Sequence, residues 1–184
     1  VRYGVVICDP PISYYGSTHG MGDVGKEYET MSDGSLLDLG PAIGGVMASR
    51  SVMLLWATSP RLDYRGVAFT WVKTRKDGIT PIGAQGVRPS IVKPTCEFVL
   101  AGSPIPKGRP LKLRDESVRH VILHPRTGHS IKPDAVHEAV ESMYPDAAKL
   151  EMFARRPRPG WTCIGNEMPG ERDIRNDLRR IALA

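Results

Sequence analysis

The 184-residue chain holds three cysteines, Cys8, Cys96 and Cys163, far apart and without a Cys-x-x-Cys pair. An odd number at such spacing gives neither a disulfide framework nor a zinc knuckle, so a reducing cytoplasm is the expected setting. Long apolar runs are missing too: none approaches the roughly 18 residues of a membrane span. The first residues show no basic start followed by an apolar stretch, so no membrane targeting is expected. The chain opens almost directly on strand-forming residues, and an N-terminal lead-in is expected to precede Val1. No internal repeat and no separating linker interrupt it. With 41% hydrophobic residues it suits one domain over residues 1–184 around a single core. Acids are in deficit: 20 Asp and Glu stand against 25 Lys and Arg, a net charge of +5. That balance points to an acidic partner such as nucleic acid, against the plainer reading of a basic protein.

What is present is an alternation of short β-rich apolar runs with longer stretches at helical spacing, the pattern of an α/β fold with a mostly parallel sheet. Seven strands are predicted: Tyr3–Cys8, Val52–Ala57, Val67–Val72, Glu97–Ala101, His120–Leu123, Ala148–Phe153 and Thr162–Ile164. Helices are predicted over Ser35–Ser49, Pro133–Met143 and Glu171–Ala182, the last arginine-rich and solvent-facing. From Lys73 to Arg114 nine Lys or Arg face only Asp77 and Glu97, interleaved with Gly and Pro. This reads as basic loops around one strand that track a phosphate backbone through Lys73, Arg75, Lys76 and Arg88, or as solvated loops with incidental charge.

Asp9-Pro10-Pro11 ends the first strand and so sets a carboxylate at the carboxyl edge of a sheet, where open α/β folds bind ligands. The two prolines fix the backbone and remove two N–H donors, leaving an acceptor-only loop. An aromatic amine attacks poorly because its lone pair is delocalised into the ring. The Asp9 carboxylate and the Pro10 carbonyl can accept from its two N–H groups and favour a pyramidal nitrogen. Alone, the tripeptide reads better as a Pro-Pro turn with a capping aspartate. Further on, His129-Ser130-Ile131-Lys132-Pro133 opens a helix with Pro133 at its first position. Lys149-Leu150-Glu151-Met152-Phe153-Ala154-Arg155 then follows on a strand, and Pro159-Gly160-Trp161 leads into Gly165-Asn166-Glu167.

In this order the motifs resemble the adenine-N6 methyltransferase family with the Asp-Pro-Pro-Trp signature, which includes messenger-RNA adenosine methyltransferases and phage and bacterial DNA adenine methyltransferases. Tyr28-Glu29-Thr30-Met31-Ser32, Leu55-Trp56-Ala57-Thr58 and Phe69-Thr70-Trp71-Val72-Lys73 match further segments, so the resemblance covers nearly the whole chain. It implies a Rossmann-like methyltransferase sheet in permuted order, the catalytic loop first and the cofactor strand last, with S-adenosylmethionine as cofactor. Catalytic residues are then Asp9, Pro10, Pro11 and Ile12. The cofactor would be held by Asp9, His129, Lys132 and Pro133, with Lys132 at its methionine end, by Glu151, Phe153 and Arg155 on the ribose side, and by Asn166 with Glu167 at the adenosine. A carboxylate after a strand suits ribose hydroxyls.

The chain departs from the signature at Ile12, where the family has Trp, so the aromatic plate for the target base is absent; Tyr14 and Tyr15 are the candidates to supply it, or to pack on the sheet edge. Gly20-Met21-Gly22-Asp23-Val24-Gly25 matches Gly-x-Gly-x-x-Gly but follows a proline turn, so it reads as an active-site loop rather than a dinucleotide fingerprint. His120, His124, His129 and His137 have no cysteine among them and give no metal site. The expected function is methyl transfer to the 6-amino group of adenine in nucleic acid, DNA before RNA, in a bacterial or phage-infected cell. The base is flipped out or single-stranded. Alternatives are a nucleic-acid-binding partner subunit without turnover, in a homo- or heterodimer, and methylation of the cytosine amine.

Overall fold

A run of six buried residues, Tyr3-Gly4-Val5-Val6-Ile7-Cys8, forms the strand on which the fold is centred. Apolar on both faces, it suits the interior of a parallel sheet covered on each side. In the computed structural model, residues 1–11, 30–57, 66–83, 92–105, 109–128, 131–170 and 173–183 are described. Seven strands form one sheet: β1 (Tyr3–Cys8), β2 (Met47–Ala57), β3 (Gly66–Thr74), β4 (Cys96–Gly102), β5 (Val121–Pro125), β6 (Lys149–Met152) and β7 (Trp161–Ile164). Their order is β5-β3-β4-β2-β1-β6-β7. β4 runs antiparallel to both β2 and β3, and the other pairings are parallel. All seven expected strands are present, with ends shifted by a few residues.

Two apolar layers flank the sheet. Val6, Cys8, Leu150 and Met152 face α2 (Gly40–Val46) and α4 (Ile174–Leu183), packing with Ile43, Val46, Ile174 and Leu178. Val5, Ile7, Leu54, Trp56 and Trp71 face the other way, onto Val136 and Val140 of α3 (Asp134–Met143). The side chains of β1 thus alternate between layers, as the period of two requires.

The helix expected over Ser35–Ser49 is instead two short pieces, α1 (Asp33–Leu37) and α2, and Met47 already begins β2. Pro41 is the reason: it cannot donate within a continuous helix, but it is accommodated in the first turn of a new one, where Leu39 is the N-cap. Ser32 caps α1 by accepting from Ser35 N at 3.1 Å. Pro133 lies one place earlier than expected, at the extended N-cap of α3, and Asp134 is the first helical residue. α4 starts at Ile174 rather than Glu171, which lies outside the described residues; Arg175, Arg179 and Arg180 face solvent while Ile174, Asp177 and Leu178 are buried. No described helix is long and apolar enough to cross a membrane.

Candidate functional site

The parallel strands end together: Cys8 of β1 pairs with Leu55 of β2 and Met152 of β6, so Asp9, Trp56 and Phe153 lie level along one edge. Because β4 runs the other way, its first residues reach the same edge, with Glu97 opposite Trp71. The segment before α3 brings in Lys132. Its ammonium lies 3.1 Å from Asp9 Oδ1 and 3.3 Å from Glu97 Oε2, and 5.3 Å from the centre of the Trp56 ring. Lys73 mirrors this on the far side of Glu97, bonded to its other oxygen and 5.3 Å from the Trp71 ring. The two rings meet edge to face at 6.2 Å. An alternating row of charges, Asp9, Lys132, Glu97 and Lys73, therefore rests on a floor of two tryptophans.

The electrostatics separate the two acids. Exclusion of water by the surrounding protein raises the Asp9 carboxyl above its ordinary value; Lys132 pulls against this, Glu97 adds to it and Arg155 opposes it. Burial acts on Glu97 in the same direction, but Lys132 and Lys73, one on each oxygen, hold its carboxyl below the ordinary value. Glu97 is thus a fixed anion that anchors two lysines, while Asp9, with a third of its side chain open to solvent, is the acceptor that faces outward. Burial pushes the neighbouring Cys8 thiol far up, which removes it as a nucleophile.

The Asp9 loop is tied at both ends: Asp9 N donates to Met152 O at 3.4 Å, and the Pro11 carbonyl accepts from Met31 N at 2.8 Å. Past β6 the chain turns sharply at Phe153, a non-glycine residue at φ 60. This left-handed conformation costs on the order of 1–3 kcal/mol and gathers at functional turns. The turn is held by Ala154 N donating to Ile164 O at 3.0 Å, and Gly165 lies so close that a Cβ there would meet Ala154 O at 2.6 Å. Beyond it Arg155 pairs with Glu167 at 3.2 Å. Asn166 Oδ1 accepts from Ile174 N at 3.0 Å and so caps α4.

Asp9, Lys132 and Arg155 are thus brought together, with Phe153 and Glu167 beside them. Pro10 and Pro11 follow Asp9 in the same loop, and Pro133 follows Lys132. Glu151 sits one layer below, against α3: its oxygens lie 3.3 Å from His137 Nε2 and 3.6 Å from Arg158 Nε, rather than on Arg155. Ile12, Tyr14, Tyr15, the Gly20–Gly25 stretch, Tyr28, Arg88 and His129 lie outside the described residues.

The basic stretch does not form one surface. Lys73 belongs to β3 and is largely covered, held on Glu97. Arg75, Lys76 and Lys93 are exposed at the Asp9 edge. β4 then carries the chain to the opposite edge, where Leu111 packs near Gly4, Arg114 pairs with Asp146 at 2.9 Å and Arg109 bonds to Glu116. Glu97, Trp56 and Trp71 were not among the sequence-derived site residues. The signal available for Glu97 was its rarity, one of two acids in a basic stretch, at the start of an apolar strand.

An open, mostly parallel α/β sheet with a carboxylate-bearing loop and a paired lysine at its carboxyl edge is a Rossmann-like arrangement, and that edge is where such folds take their ligands. The chain belongs to the MT-A70 family, whose model matches residues 3–167. Similar proteins include the N(6)-adenosine-methyltransferase MT-A70-like of Arabidopsis thaliana, 29% identical over 96% of this chain and 25% of that protein. The type II methyltransferase M.MunI of a Mycoplasma species is 25% identical over 91% of this chain and 78% of its own length. The human N(6)-adenine-specific methyltransferase METTL4 is 42% identical over 48 residues, 26% of this chain. The chain spans about a quarter of the plant and fly relatives it matches. The expected adenine-N6 methyltransferase family and the Rossmann-like fold are thereby established.

Proposed function

We propose that the chain transfers a methyl group from S-adenosylmethionine to the 6-amino group of adenine in nucleic acid, with DNA the favoured substrate. The observation that carries this reading is the outward-facing Asp9 at the head of the Lys132–Glu97–Lys73 row, in a family whose relatives are named adenine and adenosine methyltransferases. Asp9 and the Pro10 carbonyl accept from the two N–H groups of the amine and stabilise the charge that develops on nitrogen.

The donor set at the Asp9 edge suits the cofactor: the Lys132 cation matches its carboxylate, and Arg155 and Glu167 offer a donor and acceptors for its hydroxyl groups, whereas Glu151 is held by His137 and Arg158 and the Asn166 oxygen by Ile174 N. When bound it supplies a methyl group activated on a sulfonium. The strained turn at Phe153 shapes the wall next to Asp9. The chain's own contribution is alignment, exclusion of water and a charge pattern set before the reaction. A second reading, a nucleic-acid-binding subunit without turnover, draws on Ile12 in place of the family's Trp. Incubation with labelled cofactor and mixed DNA and RNA, followed by nucleoside analysis, tests both. N6-methyladenine in the DNA fraction is expected. Cofactor binding without any methylated nucleoside favours the second reading, and methylcytosine redirects the first.

A further inference from the structure

Between Lys73 and Ile82 the chain leaves the Asp9 edge as a tight turn and returns: Arg75 N donates to Thr80 O at 2.9 Å, Ile82 N to Lys73 O at 2.8 Å and Gly78 N to Arg75 O at 3.0 Å. Gly78 takes the left-handed conformation that the reversal requires, φ +72. Asp77 fixes the tip, accepting from Ile79 N at 2.8 Å, Thr80 N at 2.9 Å and Thr80 Oγ1 at 2.6 Å. These bonds hold its carboxyl below the ordinary value and turn its charge toward the turn. The residue so presented is apolar: Ile79 is 73% exposed, and the exposed cations Arg75 and Lys76 precede it in the same turn. Val92, 75% exposed, and Lys93, whose stem packs over Gly83, lie on the adjoining limb.

A tip that shows water a branched aliphatic side chain in a turn carrying two exposed cations suits a partner that is anionic outside and apolar between its layers. We infer that Ile79 is a wedge that enters a base step of duplex DNA, with Arg75 and Lys76 on the flanking phosphates, and so helps to extrude the target base toward Asp9. The inference rests on the nucleic-acid reading above. An amine inside a duplex cannot be reached without extrusion, and apolar wedges lower the cost of unstacking. The geometry fits. β3 and β1 are three strand spacings apart, roughly 14 Å at about 4.8 Å each. That offset lets the tip stand at a base step while the base extruded from the same step swings out of the stack toward Asp9. Asp77 serves as the brace of the wedge, not as a contact.

The test uses the full chain with duplex DNA carrying 2-aminopurine in place of adenine, and separately with single-stranded and duplex DNA of one sequence in the methylation assay. Wild type should raise 2-aminopurine fluorescence on the duplex and Ile79→Ser should not; Ile79→Leu should behave as wild type. In methylation, Ile79→Ser should lose about tenfold or more on the duplex and stay within about twofold of wild type on the single strand. Arg75→Ser with Lys76→Ser should reduce the salt slope of duplex binding by about 2. Equal duplex activity and fluorescence for Ile79→Ser and wild type overturn the wedge while leaving the proposed reaction intact. Ile79-dependent fluorescence without any methylated product keeps the wedge and removes the reaction. If sedimentation shows that Ile79→Ser abolishes self-association and changes nothing on DNA, the tip is a contact between copies and the wedge is overturned.

Discussion

Removing the ammonium of Lys132 while keeping its apolar stem, as in Lys132→Met, exposes the logic of the charge row. Asp9 and Glu97 touch the same nitrogen at 3.1 and 3.3 Å, so without it two carboxylates face each other across at most about 6 Å. Like charges at that distance repel by about 3 kcal/mol at an effective dielectric constant of about 20. Breaking a largely buried pair from one side costs about 3–5 kcal/mol. With a urea slope of about 2 kcal/mol/M, the unfolding midpoint at neutral pH should fall by about 2 M. The pH dependence is more telling than the size. In the wild type Glu97 has a folded-state pKa below its unfolded value of 4.5, so its stabilisation is present above that value and is lost as pH falls through the folded pKa. In the variant Glu97 keeps Lys73 on its other oxygen, but Asp9 loses its nearest cation and is pushed further up by burial and by Glu97; the folded state then binds the Asp9 proton more tightly, and the variant's stability rises as pH falls. Urea titrations from about pH 8 to about pH 5 should show the deficit shrinking toward the acid end, with Lys132→Arg close to wild type throughout. A deficit constant across that range, or none at all, refutes the coupling of Asp9 and Glu97 through Lys132.

Asp9→Asn should lower methyl transfer at least about 100-fold with cofactor affinity retained in calorimetry. Because burial raises the Asp9 pKa, folding disfavours its charge relative to the unfolded chain, and melting at neutral pH should not fall on losing it; near wild-type turnover contradicts the assigned role. Gly165→Ala puts a Cβ 2.6 Å from Ala154 O and 2.7 Å from Ala154 N, backbone atoms that cannot step aside cheaply, for a loss of about 1–3 kcal/mol. Calorimetric melting should drop by about 2–4 °C per kcal/mol, and an unchanged melt contradicts the close approach. Asp134, held at about 2 by Arg158 and Arg156, gives stability present above its unfolded value of 3.8 and lost as pH falls toward about 2. Half exposed and screened, it is worth about 0.5–1 kcal/mol, and Asp134→Asn should flatten that acid limb while high salt shrinks the difference.

The strands were legible because each is a short apolar run whose neighbours in sequence carry turn residues, and tertiary packing reinforces that local pattern. Tyr3–Cys8 is apolar on both faces, and it sits buried on both faces in the sheet interior. The misread helix shows where pattern fails. Ser35–Ser49 keeps helical spacing, but Pro41 divides it and the apolar residues after Val46 serve β2 instead. Periodicity sees which residues are apolar, and only the sheet decides which face they meet.

The site was legible to the extent that its residues end strands or begin helices. Asp9, Lys132 and Arg155 each follow or precede an element whose direction was predictable, and they converge at one edge. Glu97 escaped because its place depends on β4 running against its neighbours, and strand direction is written in connections rather than in residue types. The same reversal divides the basic stretch: a count of nine bases over two acids assumes that neighbours in sequence stay neighbours in space, yet one antiparallel strand takes Arg109 and Arg114 to the far edge while leaving Arg75 and Lys76 at the Asp9 edge of the sheet. Among the described residues of the basic stretch, those before β4 are therefore the ones placed to track DNA toward Asp9. On that ground Arg109→Ser with Arg114→Ser should leave the salt slope of DNA binding unchanged, whereas the Arg75 and Lys76 pair should lower it by about 2. Equal losses in the two double variants would mean that the DNA wraps both edges of the sheet, and the confinement of binding to the Asp9 edge would be wrong.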